Sequence, residues 1–225
     1  MVGMDEVGRG AWAGPLVVGA VVFPRGTRVE GLGIDDSKRL TGKRRLELEG
    51  LIKKKAMGWA VAEVSVGVIN RLGIGRATKM GFRKAVAELR KKLAGQGVID
   101  YVLLDAFYVE RVAGLPVGNR LKVEGVKYRG KKRRVEKLLV GKGRQLAIVK
   151  GDQRSISIAA ASIIAKVYRD KLMYRLSDRY TKYSWDSNVG YGTMKHCFAI
   201  QRYGLTRLHR RKFVETWIAK AKPPS

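Results

Sequence analysis

The chain has 225 residues, 45% of them hydrophobic, and carries 47 Lys+Arg against 19 Asp+Glu for a net charge of +28. That length can bury the core of one domain, or of one domain with a helical extension. The excess of cations runs along the whole chain and points to a polyanionic partner, nucleic acid ahead of a membrane surface. A single cysteine, Cys197, excludes an intrachain disulfide framework and fits a reducing, cytoplasmic compartment.

Near the start, "MDEVGRG" (4–10) sets two adjacent carboxylates and a Gly-Arg-Gly turn in front of the apolar run 11–23. That run is too short to span a bilayer, follows Asp5 and Glu6 and contains Pro15, so it predicts buried strand rather than a signal segment. Its β-rich part is "PLVVGAVVF" (15–23). Thr41 then predicts an N-cap, with Leu48, Leu51 and Ile52 on one face of the following helix. A strand is expected at 57–64. Over 74–94, Ala77, Ala85, Leu89 and Leu93 fall at multiples of four and predict a basic amphipathic helix. "IDYVLLDAF" (99–107) and "RQLAIVKGD" (144–152) read as short strands closing on aspartates. Residues 155–176 predict a small-residue helix able to pack closely on a sheet. Further helices are expected at 193–203, stopped by Gly204, and at 211–221. Strands first, then strand and helix in alternation, predict an α/β fold: a mixed β-sheet flanked by helices.

Asp5, Asp105 and Asp152 each follow a strand-like run ("MVGM", "YVLL", "AIVKG"). In open α/β sheets ligands bind beyond the carboxyl ends of the strands, so the three can converge there. Glu6 joins them only if the strand ends at Asp5, because neighbouring strand residues point to opposite faces; Gly8 and Gly10 supply the bend. Four clustered carboxylates call for a hard divalent cation, Mg²⁺ or Mn²⁺, and a two-metal site of that kind hydrolyses phosphodiesters. Zinc is disfavoured, since His196, Cys197 and His209 lack a usual ligand spacing.

Taken in order, "GMDEVGRGAWAGPLVVGAVV", "DDSKRLTGKRR", "YVLLDA", "VKGD", "SISIAAASIIAKVYRD", "NVGYGTMKH" and "YGLTRLHRRKF" resemble ribonuclease HII, the type 2 ribonuclease H family. The resemblance spans nearly the whole chain apart from residues about 108–145 and the tail. It implies a ribonuclease H-like catalytic domain over 1–178 and a C-terminal helical substrate-binding extension, 179–225, of the same unit. It implies cleavage of the RNA strand of RNA/DNA hybrids and incision 5′ of single ribonucleotides in duplex DNA, leaving 3′-hydroxyl and 5′-phosphate ends. The family's catalytic metal ligands fall on Asp5, Glu6, Asp105 and Asp152, with Asp5 bridging two ions and the other three unapportioned.

By the same resemblance the Gly8-Arg9-Gly10 backbone approaches the ribose 2′-hydroxyl, the group that distinguishes RNA from DNA. Tyr191 touches that hydroxyl and packs on the next sugar, and Lys38 lies near the scissile phosphate. Asp170 is also a family position, and pairing with Arg169 or another basic neighbour explains it equally well. Val7 stands where the family usually has alanine, and Lys212 where it usually has serine. Between Arg120 and Arg144 the chain holds eleven Lys/Arg against Glu124 and Glu136, a local charge of +9, read as a substrate-side insertion or a solubilising loop. The protein is expected to be a monomer with no membrane association, with a replication clamp as a further partner. Two alternatives stand beside it. One is type 3 ribonuclease H, which would carry a separate N-terminal domain that the position of Asp5 leaves no room for. The other is a non-catalytic basic RNA-binding protein.

Overall fold

The computed structural model describes residues 1–27, 34, 40–96, 99, 101–105, 120–121, 139–140 and 145–221. Two strands open the fold, β1 (Val2–Val7) and β2 (Leu16–Val22). Helix α1 (Gly42–Lys55), strand β3 (Gly58–Val64) and helices α2 (Val66–Leu72) and α3 (Ile74–Lys92) follow. Strands β4 (Val102–Asp105), β5 (Arg120–Leu121), β6 (Leu139–Val140) and β7 (Gln145–Ile148) lead to a 3₁₀ turn at Gly151–Gln153. Helices α4 (Ile156–Ser177), α5 (Trp185–Asn188), α6 (Met194–Tyr203) and α7 (Arg211–Ala221) complete it.

The sheet runs β3-β2-β1-β4-β7-β6-β5. Strands β1, β4 and β7 are parallel, while β2 and β3 extend the sheet antiparallel. Every residue of β2 is buried, as expected of a strand covered on both faces. Val18, Ala20 and Val22 share a core with Phe82, Val86 and Leu89 of α3. On the other face Val21 packs with Ala160, Ala161 and Ile164 of α4 and with Leu48 and Ile52 of α1.

Helix α4 lies almost on the strand backbone, and glycine permits it. A Cβ at Gly3 would collide with the Ser157 and Ile158 backbone, and one at Gly19 with the Ala161 carbonyl. Gly19 is the register partner of Asp5, so this close approach fixes the height of α4 under the candidate site.

Most predicted elements are present, with Thr41 capping α1 by accepting the Arg44 N–H at 3.2 Å. Three points differ. Leu51 is exposed while Leu48 and Ile52 are buried, because a three-residue step from 48 followed by a one-residue step leaves the stripe. Helix α2, capped by Ser65, precedes α3 and is divided from it by Gly73 at φ 77°. Strand β1 does not stop at Asp5 but continues to Val7 along β2. Lys38 and nearly all of the basic stretch 120–144 lie outside the described residues. The last helices share a core of Ala13, Met173, Trp185, Ile200 and Val214, which ties them to the loop after β1 and to α4.

Candidate active site

Among the described residues strand β1 pairs with β4 only as far as Met4↔Leu104, whereas its ladder to β2 runs on to Val7. The end of the β1–β4 ladder leaves Asp5 beside Asp105 of β4. Asp5 is 7% exposed. Its Oδ1 accepts the Glu6 N–H at 2.7 Å and its carboxylate accepts the Ser162 hydroxyl from α4. Burial, opposed by the Ser162 bond and reinforced by the charges of Asp105 and Asp152, pushes its pKa up to about 7.

Glu6 lies one residue further along the pleat, yet it stays within the field of the others. Burial, then the charge of Asp5, raise its pKa to about 8, with Asp105 adding and Arg9 opposing. The expected requirement that β1 end at Asp5 is thus not met. Glu6 Oε1 is 3.8 Å from Arg9 Nη1, and its buried Oε2 has no hydrogen-bond partner.

Asp105 Oδ1 accepts the Gly151 N–H at 2.7 Å, and a Cβ on Gly151 would press into Ile158 at 2.6 Å. Glycine at 151 therefore lets the turn after β7 close on the end of β4. The next residue, Asp152, is 7% exposed. It is delivered by a 3₁₀ turn entered through Lys150 at φ 55°, a left-handed conformation uncommon for a non-glycine residue.

The four carboxylates test as a site for a divalent cation. Among the described residues no three His, Cys, Asp or Glu side chains form a ready-made metal cage. The donors nevertheless suit a hard cation. All are oxygens, burial and mutual repulsion raise the Asp5 and Glu6 pKa values to about 7 and 8 so that added positive charge is favoured there, and buried Glu6 Oε2 has no hydrogen-bond partner. A buried unpaired acceptor is normally avoided, and a cation would satisfy it.

The loop after β1 borders these carboxylates. Gly8 has φ 85°, and a Cβ there would strike the Arg169 guanidinium; Gly10 is open, with the Tyr191 ring 3.9 Å from where its Cβ would be. The structure therefore brings Gly8, Arg9, Gly10 and Tyr191 to one rim, with Tyr191 38% exposed. Asp170 is bound by Lys166 Nζ at 2.5 and 2.7 Å and lies 3.9 Å from Arg45. It pairs with basic neighbours, as expected, but not with Arg169.

Arg169 instead turns inward. Its Nε donates to the Pro15 carbonyl (3.1 Å), Nη1 to Val189 (2.9 Å) and Nη2 to Ala13 (3.1 Å). Arg210 does the same work from the far end of the chain. Its Nη1 donates to Gly8 (2.7 Å) and Arg9 (3.0 Å), and Nε and Nη2 both reach Gly14 (3.0 and 2.9 Å). Both side chains are fully buried. A signal existed for the first: Ala161, Ala165, Arg169 and Met173 recur every four residues on the sheet-facing side of α4.

A mixed sheet flanked by helices, with acidic residues at and beside the ends of its central parallel strands, has the architecture of the ribonuclease H-like fold. The family model Ribonuclease HII matches residues 2–216. A Ribonuclease HII of Clostridioides difficile is 38% identical over 213 residues, covering 95% of this chain and 69% of that protein. Among solved structures, ribonuclease H2 from Pyrococcus horikoshii aligns with a TM-score of 0.66 at 23% identity, over 96% of this chain and 98% of the other. RNase HII in the PCNA:RNase HII complex from Archaeoglobus fulgidus aligns with a TM-score of 0.57 at 26% identity, over 100% and 89%. The chain belongs to the ribonuclease HII family: it is a ribonuclease H, a metal-dependent endonuclease acting on RNA/DNA. The type 3 and non-catalytic alternatives give way to that membership. No helix among the described residues is long and apolar enough to cross a membrane.

Proposed function

We propose that this ribonuclease H also incises duplex DNA on the 5′ side of a single embedded ribonucleotide, by hydrolysis with two divalent cations, Mg²⁺ or Mn²⁺, leaving 3′-hydroxyl and 5′-phosphate ends. One observation carries the proposal. Buried carboxylates with raised pKa values, one with an unpartnered oxygen, open directly beside a glycine-rich rim and an exposed tyrosine. Asp5, Glu6, Asp105 and Asp152 are the residues that would hold the cations. When bound, they would supply activation of the attacking water and stabilisation of the leaving oxygen.

The rest falls to the chain's own groups. With no side chain at 8 or 10, the Gly8-Arg9-Gly10 backbone can approach a ribose closely enough to bond its 2′-hydroxyl, while Tyr191 covers the adjoining sugar. Lys38 is assigned to the scissile phosphate on the resemblance alone. Residues 1–178 are taken as the catalytic part and 179–225 as its substrate-binding extension. The likeness to an RNase HII solved with PCNA extends the proposal to a replication clamp as partner.

The direct test is a duplex with one ribonucleotide, incubated with Mg²⁺ and with Mn²⁺, its product ends mapped. A single nick 5′ of the ribonucleotide is expected, and cleavage confined to long hybrids would defeat the proposal. Tyr191→Ala is expected to lower turnover at the lone ribonucleotide by roughly 10-fold or more, about 1.4 kcal/mol, with little change in duplex affinity, because phosphate contacts position while sugar and base contacts specify. Equal losses on every substrate would make Tyr191 purely structural.

The basic stretch 120–144 is assigned to the duplex backbone on its charge of +9. Each phosphate contact contributes about 0.9 to the slope of log K against log salt. Deleting Arg129–Arg134, which removes five cations, is expected to flatten that slope by roughly 3 if three contacts are lost, with turnover at saturating duplex unchanged. An unaltered slope in the folded deletion variant would leave the stretch a solvated loop.

A further inference from the structure

The chain contains two histidines, and both are buried against each other behind the Tyr191 rim. His196 is 0% exposed and His209 1%. Their Nε2 atoms are 3.2 Å apart. At one end the backbone N–H of Thr206 donates to His209 Nδ1 at 2.8 Å. At the other, His196 Nδ1 is 2.9 Å from the Tyr191 carbonyl. Trp185 Nε1–H closes the set by donating to His196 Nε2 at 3.1 Å.

These partners leave one arrangement of protons. A carbonyl only accepts, so His196 carries its proton on Nδ1 and leaves Nε2 bare for Trp185 and His209. An amide N–H only donates, so His209 Nδ1 is bare and its proton is on Nε2, directed at His196. A continuous neutral chain therefore runs Thr206 N–H to His209 to His196 to the Tyr191 carbonyl, every heteroatom used once or more. Burial, with Trp185 Nε1–H and His209 Nε2–H on His196 Nε2 and the Thr206 N–H and hydroxyl (2.9 Å) on His209 Nδ1, leaves no room for a second proton on either ring, in line with His209 being lowered to about 4 and His196 lowered as well.

We infer that His196 and His209 are positioning residues for Tyr191: through this chain they fix the Tyr191 carbonyl, and with it the ring, against Gly10. The same carbonyl accepts the Thr193 N–H at 2.8 Å, and Thr193 caps α6, the helix that carries His196. Helix α6 and the Tyr191 loop are thus one unit braced from behind by His209. The inference rests on the proposed role of Tyr191 at the ribonucleotide, which it deepens.

The experiment begins with ¹⁵N-histidine spectra of the wild-type protein, where only two rings contribute. The Nδ1–H form of His196 and the Nε2–H form of His209 are expected at neutral pH, and the opposite form of either ring overturns the chain. Two variants then divide His196. His196→Asn places an N–H near the former Nδ1 and keeps the bond to Tyr191; His196→Gln places an acceptor near the former Nε2 and loses that bond. Turnover at a lone ribonucleotide is expected to fall at least 10-fold in His196→Gln, with KM within about twofold of wild type, and to stay within about threefold in His196→Asn. Equal activities in the two variants, or losses that track melting temperature, overturn the inference. Should wild type fail to nick a lone ribonucleotide, the proposed function falls by itself. The positioning claim is then judged by ¹³C-tyrosine spectra, in which the Tyr191 ring signal must shift in His196→Gln and not in His196→Asn; an unmoved signal in His196→Gln refutes it.

Discussion

Asp5→Asn is expected to abolish cleavage and, at the same time, to make the protein more stable. Loss of one preorganised charged group should lower turnover by at least about 10²–10³-fold, while duplex affinity holds or rises because less negative charge faces the phosphates. The stability effect follows from linkage. Asp5 and Glu6 have folded-state pKa values of about 7 and 8, against ordinary values of 3.8 and 4.5. Between about pH 4 and pH 8 the folded chain keeps protons that the unfolded chain has released, so stability falls as pH rises through that window. Below it the penalty is absent; above it the penalty is complete. One pKa unit corresponds to 1.36 kcal/mol, and after relaxation of a coupled pair the gain from Asp5→Asn is about 2–4 kcal/mol at pH 8, or roughly 5–10 °C for a chain of this size.

Thermal melts of wild type and Asp5→Asn from pH 4 to 9 measure this directly. The curves should coincide near pH 4 and separate progressively to pH 8. On the proposed metal site a divalent cation takes over the role of the proton at high pH, so Mg²⁺ should raise the wild-type melting temperature far more at pH 8 than at pH 5. The increase should be smaller in the variant. Parallel pH profiles, or wild-type turnover in Asp5→Asn, would remove Asp5 from the site.

The second large effect is expected at Arg210→Ala. Its guanidinium serves the carbonyls of Gly8, Arg9 and Gly14 from a fully buried position. Burial, then the neighbouring Arg169, lower its pKa to about 9, which still leaves it charged at neutral pH but reduces its net worth. Against that relief stand the stranded carbonyls of Arg9 and Gly14, at about 1–3 kcal/mol each, and a Gly8 carbonyl left with only the Ala11 N–H at 3.3 Å. The acceptors win, and a loss of roughly 3–5 kcal/mol in urea unfolding is expected, with the substrate rim collapsed. Arg210→Lys should not restore it, because one ammonium cannot reproduce a planar fork reaching both sides of the loop. A variant within about 1 kcal/mol of wild type would show that water takes the place of the guanidinium.

The two effects mark what the sequence could and could not disclose. Asp105 and Asp152 are legible as neighbours of strand ends because each follows an apolar run, a local property, whereas Asp5 lies inside β1 rather than at its end. Glu6 does not follow from the strand-end rule, because β1 continues past it to Val7; its coupling to Asp5 and Asp105 is visible only in the folded chain. The helix over 155–176 was legible from its small residues, whereas the glycines opposite it, Gly3 and Gly19, gain meaning only once the backbones meet. Arg169 and Arg210 were hidden by composition. In a chain with 47 cations nothing local separates an arginine that meets water from one that serves only buried carbonyls, except the four-residue step from Ala165 to Arg169 to Met173. The histidine chain was hidden in the same way, since neither ring has a usual ligand spacing and their partners are backbone atoms.

The contact from Arg210 to Gly8 joins residues 202 positions apart, and that separation bears on how the protein comes into being. A chain emerging from the ribosome presents Asp5 and Glu6 first and the arginine that shapes the adjoining loop only some two hundred residues later. Contacts so distant in sequence are made late, after a long loop has been closed. A nascent chain would therefore carry its carboxylates before the loop beside them is braced by Arg210, and so before the proposed discrimination of ribose from deoxyribose could operate.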